Sequence, residues 1–509
     1  MKHLNRFLAL FLITILCSCA DDDDSASTPS PTAINFQFKS TINVGGEGSS
    51  EISAFDPDTN KLFTVNVESN EISVYDLSNL NSPVLLTPLS ISAFGTPNSV
   101  SVYEGNLAVA VEAPVKQNPG QIIVFNTETG MMINQYTVGA LPDMVTYSKD
   151  GNLLLSANEG EPNDDYDVDP MGTISIIDLN DDSVTILDFT AFNAQEATLE
   201  SQGFRVFGPG ADLATDVEPE YIAVSDDSQT AWVSLQENNG IARINLVSKT
   251  IEAIYPLGFK DYNNPMNSID ASDKDQEETL KNWPVFGMYQ PDAITYTSIN
   301  GTEYIISANE GDARDYDGFS EEERVEDLTL DETVFPQSND YQNEVNLGRL
   351  KITTTLGDTD NDGDTDEIYN YGARSFSIWS TTGGLLYDSG NDISEIVLSQ
   401  TPERFNWDWE DNETDKRSDD KGAEPEAVEV IKINEKTILF VGLERNSQVM
   451  VFDISNPMSP QYVQILQRAT DYAPEGVLAV SAENSPSGKP LVIISNEDSG
   501  TISIYENEE

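Results

Sequence analysis

Between Asp358 and Asp366 the chain reads DTDNDGDTD, with carboxylates at positions one, three, five and nine and Gly363 at position six. Side chains alternating in this way converge on one ion while the glycine permits the sharp turn, the pattern of an EF-hand-like calcium loop. Position twelve is Tyr369 rather than glutamate, so the bidentate role falls to Glu367 or to a residue elsewhere, and no flanking helix pair is evident. Asp358, Asp360, Asp362, Asp364, Asp366 and Glu367 are therefore candidate calcium ligands; a solvated acidic turn is the alternative.

A second acidic group is spread along the chain. The pentapeptide SANEG occurs at Ser156–Gly160 and at Ser307–Gly311, each time followed by further carboxylates. Asn158, Glu159, Asn309, Glu310, Glu444 and Glu497 close strand-like runs, while Asp143, Glu220, Asp292, Glu426 and Glu475 open others. Carboxylates gathered in one place repel unless a cation neutralises them, and oxygen ligands without histidine suit Ca²⁺ better than a transition metal. The competing expectation is that the Asn and Glu side chains in these turns satisfy backbone N–H groups. Basic residues near this set are few. Arg314, Arg374, Lys421 and Arg445 are candidates to hold an anionic ligand such as a phosphate ester, or are ion-pair partners of the acids. Trp379 lies in a repeated strand and reads as core, whereas Trp407 and Trp409 lie in a loop and are free to stack on a sugar or peptide.

Much chemistry is excluded. The first 18 residues carry Lys2 and Arg6 ahead of an apolar run too short to span a bilayer, which reads as a signal peptide. Leu16-Cys17-Ser18-Cys19 looks like a lipobox that leaves a lipid on Cys19; a secretory signal without lipid is the alternative. The mature chain then lacks His3, the single histidine, and Cys17, which rules out Ser-His-Asp and Cys-His catalysis, ordinary zinc sites and an internal disulfide. It keeps 24 basic residues against 88 acidic ones, so nucleic acid and anionic membrane surfaces are not expected partners.

The elements that must position these residues are strands. Short alternating runs rich in Ile, Val, Tyr and Phe dominate, broken by Gly, Asn, Asp and Pro. One series begins at a proline and a short polar residue: TPNSVSV at 96, LPDMVTY at 141, EPEYIAV at 218, QPDAITY at 290, EPEAVEV at 424 and APEGVLAV at 473, with SSEISAF at 49 as a degenerate member. A second follows it: ISVYDL at 72, IIVFNT at 122, ISIIDL at 174, IARINL at 241, FSIWST at 376, VMVFDI at 449 and ISIYEN at 502. Seven interleaved pairs predict an all-β, seven-bladed β-propeller over residues 34–509. The strand-like segment 34–42 completes the last blade, insertions fall near 185–217, 255–289 and 312–370, and the last gap is long enough for an eighth blade. Residues 19–33 read as an acidic, Ser/Pro-rich tether.

The stretches LPDMVTYSKDGNLLLSANEGEPNDDYDVDPMGTISIIDL, FGPGADLATDVEPEYIAVSDDSQTAWVSLQENN and DKRSDDKGAEPEAVEV resemble the bacterial choice-of-anchor I family, itself similar to mesenchyme-specific cell-surface glycoproteins linked to biomineralisation. The resemblance implies an exported or surface propeller whose anchor varies among members, here the lipid on Cys19, with CADDDD similar to signals that send lipoproteins to the outer face of the outer membrane. Some relatives carry phosphatase-like or phytase-like labels. Two functions are therefore expected: a calcium-binding surface scaffold for an unidentified extracellular ligand, or a Ca²⁺-dependent phosphoesterase in which metal-bound water attacks phosphorus.

Overall fold

The computed structural model describes residues 33–508; the leader, Cys19 and almost all of the tether lie outside the described residues. Why the strands form is visible in their burial. The middle strands of a blade, such as Leu153–Asn158 and Thr173–Asp178, are apolar on both faces because a neighbouring blade covers each side. An outermost strand such as Ser183–Leu187 stays largely open to water.

Seven antiparallel blades form the ring. Blade one is Ser53–Asp56, Lys61–Asn66 and Glu71–Asp76 with a broken outer edge, Val84–Leu85 and Leu89–Ser90. Blade two runs from Thr96–Tyr103 to Met132–Ala140, blade three from Pro142–Tyr147 to Ser183–Leu187, and blade four from Pro219–Val224 to Thr250–Pro256. Blade five combines Ile294–Ile299, Thr302–Asn309, Ser375–Ser380 and Leu385–Asp388; blade six runs from Pro425–Ile433 to Gln461–Leu466. Blade seven holds Pro474–Val480, Leu491–Asn496 and Thr501–Asn507, and its fourth strand is Phe36–Asn43 from the other end of the chain, with Phe36 opposite Asn507 and Asn43 opposite Thr501. Apolar residues of facing blades interlock, for example Leu155 and Ile176 with Val233 and Leu235, and Phe376 with Val441 and Phe452.

The gap from Asp292 to Glu426 holds no eighth blade. Blade five is instead split between its second and third strands by residues 310–374, which carry two small ribbons, and residues 389–424 follow it with a helix, Asp392–Gln400. Further excursions, 188–218 and 257–293, lie between blades three and four and between blades four and five.

Candidate functional site

The first strand of each blade faces the axis, and the acids cluster where these strands begin. Glu51, Asp143, Glu220, Asp292, Glu426 and Glu475 stand at or just before the start of six first strands, with Asn98 in the matching place of blade two. A glutamate also lies within two residues of the end of the second strand in every blade: Glu68, Glu112, Glu159, Glu237, Glu310, Glu444 and Glu497. Glu51, Glu112, Asp143, Glu159, Glu161, Asp292, Glu475 and Glu497 line a mouth of about 390 Å³ on the axis, with Lys116 the single cation among them. Lys116 is already paired with Glu161 at 3.0 Å. Met144 and Tyr221 line this mouth and also a second cavity of about 540 Å³ at the far ends of the first strands.

The repeated pentapeptide has a physical explanation. Ser156 Oγ donates to Asn158 Oδ1, and Asn158 Nδ2 donates to Thr173 and Ser175 on the third strand. Ser307, Asn309, Ser375 and Ser377 repeat the same network in blade five. Gly160 and Gly311 have φ of +74° and +92°, and a Cβ there would meet the backbone of Met171 or Gly372. Asn158 and Asn309 are fully buried and spent on their own blades, so of each predicted Asn-Glu pair the asparagine is structural, while Glu159 lines the mouth and Glu310 converges with Asp292 and Glu426.

Two sets of three carboxylates converge, each with its ligand oxygens within 4.8 Å of one another: Asp292, Glu310 and Glu426, and Glu310, Glu424 and Glu444. They differ in what already neutralises them. Glu424 is contacted by Arg417 at 2.7 Å, Lys421 at 3.3 Å and Arg445 at 3.4 Å. Burial works against its charge, but these cations prevail and hold its carboxyl well below the usual range. Glu424 is thus satisfied by the protein's own cations, whereas Glu444, although Arg445 reaches it at 3.3 Å, is pushed well above the usual range by burial and then by Glu424. In the first set, Lys421 and Gln236 reach Glu310 at 2.5 and 2.9 Å, whereas Glu426 Oε2 is buried without a hydrogen-bond partner. Burial, then Glu310 and Glu475, push Asp292 well above the usual carboxylate range; burial, then Glu475 and Glu444, do the same to Glu426. Uncompensated charge is concentrated here.

The predicted anion-binding arginines are not available to a ligand. Arg314 is buried against Asp216 at 2.7 Å and Glu218 at 2.9 Å, with its guanidinium over Phe207, because the 188–218 and 310–374 excursions fold onto each other. Arg374, also buried, donates to the carbonyls of Asp270, Ser418 and Asp420 and ties three loops together. Arg445 is paired with Glu424 and Glu444. Trp379 is core and donates to Ser307 Oγ. Trp407 is buried beneath Arg404, contrary to its expected freedom, while Trp409 is partly exposed and stacks on Tyr472.

The aspartate-rich loop folds on itself: Asp358 accepts from the backbone of Asp362 and Gly363, and Asp366 from Thr359. Asp358, Asp360 and Asp366 converge within 4.8 Å, as do Asp331, Asp364 and Asp366. Asp331 was not legible as a ligand; the bridge between Leu330 and Thr365 carries it alongside. Asp362 and Glu367 join neither set, Asp362 accepting from Asp364 N and Glu367 taking the Tyr369 hydroxyl. Glu237 was also missed, although an acid follows the second strand in every blade.

A ring of seven blades, with an acidic axial mouth and excursions folded around it, defines a propeller-type surface module. The chain belongs to the choice-of-anchor I family, whose domain model matches residues 51–457. That family sets the chain among exported or cell-surface proteins, and among the described residues no helix is long and apolar enough to cross a membrane. Gigasin-3a of Magallana gigas is 28% identical over 187 residues, which are 32% of this chain and 66% of that relative. Among solved structures, Kuenenia stuttgartiensis hydrazine synthase is similar over 91% of this chain and 96% of that chain, with 12% identity and a TM-score of 0.49. The Myceliophteria thermophila Cps50 (Swd1) β-propeller domain is similar over 93% and 100%, with 8% identity and a TM-score of 0.46. The strand order above, rather than either likeness, defines this propeller.

Proposed function

We propose that the protein is a surface-attached scaffold or binding module that takes up Ca²⁺ beside its axial mouth, through Asp292, which lines it, with Glu310 and Glu426, and in the loop around Asp366. The observation that carries this reading is the convergence of those three carboxylates within 4.8 Å, together with a buried Glu426 Oε2 that lacks a hydrogen-bond partner. Calcium takes six to eight oxygens, so three carboxylates leave coordination positions for water and for a ligand oxygen. The phosphoesterase reading is weaker, because Arg314, Arg374, Lys421 and Arg445 are all engaged and none is free to steady an oxyanion.

Calorimetric titration of the purified chain with Ca²⁺ tests the reading. Uptake is expected to fall in Asp292→Asn/Glu426→Gln and, independently, in Asp366→Asn; heats indistinguishable from buffer for the parent chain would reject it. Attachment through the lipid on Cys19 belongs to the same proposal. Cys19→Ala should release the protein from membranes into the soluble fraction, and unchanged membrane association would rule that anchor out.

A further inference from the structure

We propose that the cavity at the far ends of the first strands is a binding site for an acidic sugar, whose carboxylate or phosphate is held by Lys149 and Lys432. The cavity has a volume of about 540 Å³, within the range of small-molecule sites. Lys149, in the turn after the first strand of blade three, and Lys432, near the end of the first strand of blade six, both line it. In a chain with 88 acidic residues and 26 basic ones, a cation without a partner is unexpected. Among the described residues the other lysines and arginines pair with carboxylates, except that Lys61 and Arg374 donate to carbonyls and Arg404 lies over Trp407. Lys149 and Lys432 are the two that make no hydrogen bond, ion pair or ring contact, and they share one cavity. Both side chains are exposed, so an entering anion meets two hydrated ammonium groups with no carboxylate to displace. The remaining lining suits a hydroxylated ring. Thr295, Thr297 and Ser298 carry hydroxyls that make no hydrogen bond within the chain, and Glu429 is placed to accept from sugar hydroxyls. Tyr296 is a fixed aromatic wall, stacked on Trp232 at 5.7 Å with its hydroxyl donating to Glu303 at 2.8 Å. The chain's overall negative charge does not forbid an anion here, because at 0.1 M salt charges beyond about 10 Å are largely screened. Locally two lysines stand against Asp226 and Glu429, where the mouth sets Lys116 against eight acids.

None of these residues belongs to the Asp292, Glu310 and Glu426 set, so this site and the Ca²⁺ reading can fail separately. The experiment is saturation-transfer difference NMR with glucuronate, a glucose phosphate and neutral glucose, run in EDTA so that no bound Ca²⁺ can hold the acid. It compares the full chain with Lys149→Met/Lys432→Met and Asp292→Asn/Glu426→Gln, each checked for folding by circular dichroism. The parent is expected to bind at least one of the two acids about tenfold more tightly than glucose, and the lysine variant to lose about tenfold in affinity for it. The Asp292 variant is expected to keep the parental affinity. Which acid binds distinguishes a carboxylate from a phosphate ligand, and either supports the site. A parent that binds neither acid overturns the proposal, as does a folded lysine variant with parental affinity. Equal affinity for glucose, or loss of binding in the Asp292 variant, overturns it as well. Should the double lysine variant not fold, Lys432→Met alone serves, with the same readings.

Discussion

Methionine in place of Arg314 should cost about 3–5 kcal/mol of stability, because it strands Asp216 and Glu218 as buried, uncompensated charges. All three side chains are almost entirely excluded from water, with exposures of 1%, 0% and 4%, so solvent screening offers no rescue. The same residue also donates to the Asp216 carbonyl at 2.6 Å, a bond lost with it, although Asn238 Nδ2 still reaches that oxygen at 3.1 Å. Chemical unfolding followed by tryptophan fluorescence reads the loss. Neutralising the two acids as well, in Arg314→Met/Asp216→Asn/Glu218→Gln, should recover a substantial part of it. A single variant that loses less than about 1 kcal/mol would show that the pairing is not what holds the 188–218 and 310–374 excursions together.

The second large effect is on pH. Glu51 is pushed up to about 9 by burial and then by Glu475 and Glu497, and Glu429 to about 7 by burial only partly offset by Lys149. Asp415 rises to about 7 and Asp270 to about 6, burial again being the main cause in each. Such groups hold protons in the folded chain that the unfolded chain releases, so their contribution to stability is full below the ordinary carboxylate range and is lost as pH climbs through the raised values. Glu424 has the opposite sign: its stabilisation is present at all but strongly acidic pH. Metal-free protein is therefore expected to be most stable near pH 5 and to lose on the order of a few kcal/mol between pH 5 and pH 9. Added Ca²⁺ should raise the melting temperature more at pH 8 than at pH 5, where protons compete for the same oxygens. A metal-free melting temperature that rises steadily from pH 5 to pH 9 would contradict this.

The blades were legible because a strand buried on both faces has to be apolar along its whole length, as in ISIIDL at 174 and VMVFDI at 449, and because Pro-acid pairs mark where first strands turn in toward the axis. The orphan strand near the start was legible because the final blade lacked a partner for Thr501–Asn507. The excursions were not. Their fold depends on contacts between segments far apart in sequence, such as Arg314 with Asp216 or Asp331 with Asp364, and no local period announces those. The same reason hid the roles of Arg374 and Trp407, whose neighbours come from loops with no repeat. In the rim, many of the acids were visible, though not Glu51, Glu112, Glu161 or Glu237, and their pairing was not. Glu424 and Glu426 are two residues apart, yet one is neutralised by three cations and the other has a buried oxygen without a partner.

Blade seven is made from both ends of the chain: Asn35 donates to Asn507 across a separation of 472 residues. During synthesis the earlier of these two segments emerges long before the later one exists, so it must wait unpaired while six blades assemble behind it. Locking the circle is then the last and most non-local event of folding, and the step that carries the greatest loop-closure cost. Until it happens the polypeptide is an open arc with two raw edges. A chain halted a few residues short would remain an arc, and such molecules would be expected to seek the missing strand from one another.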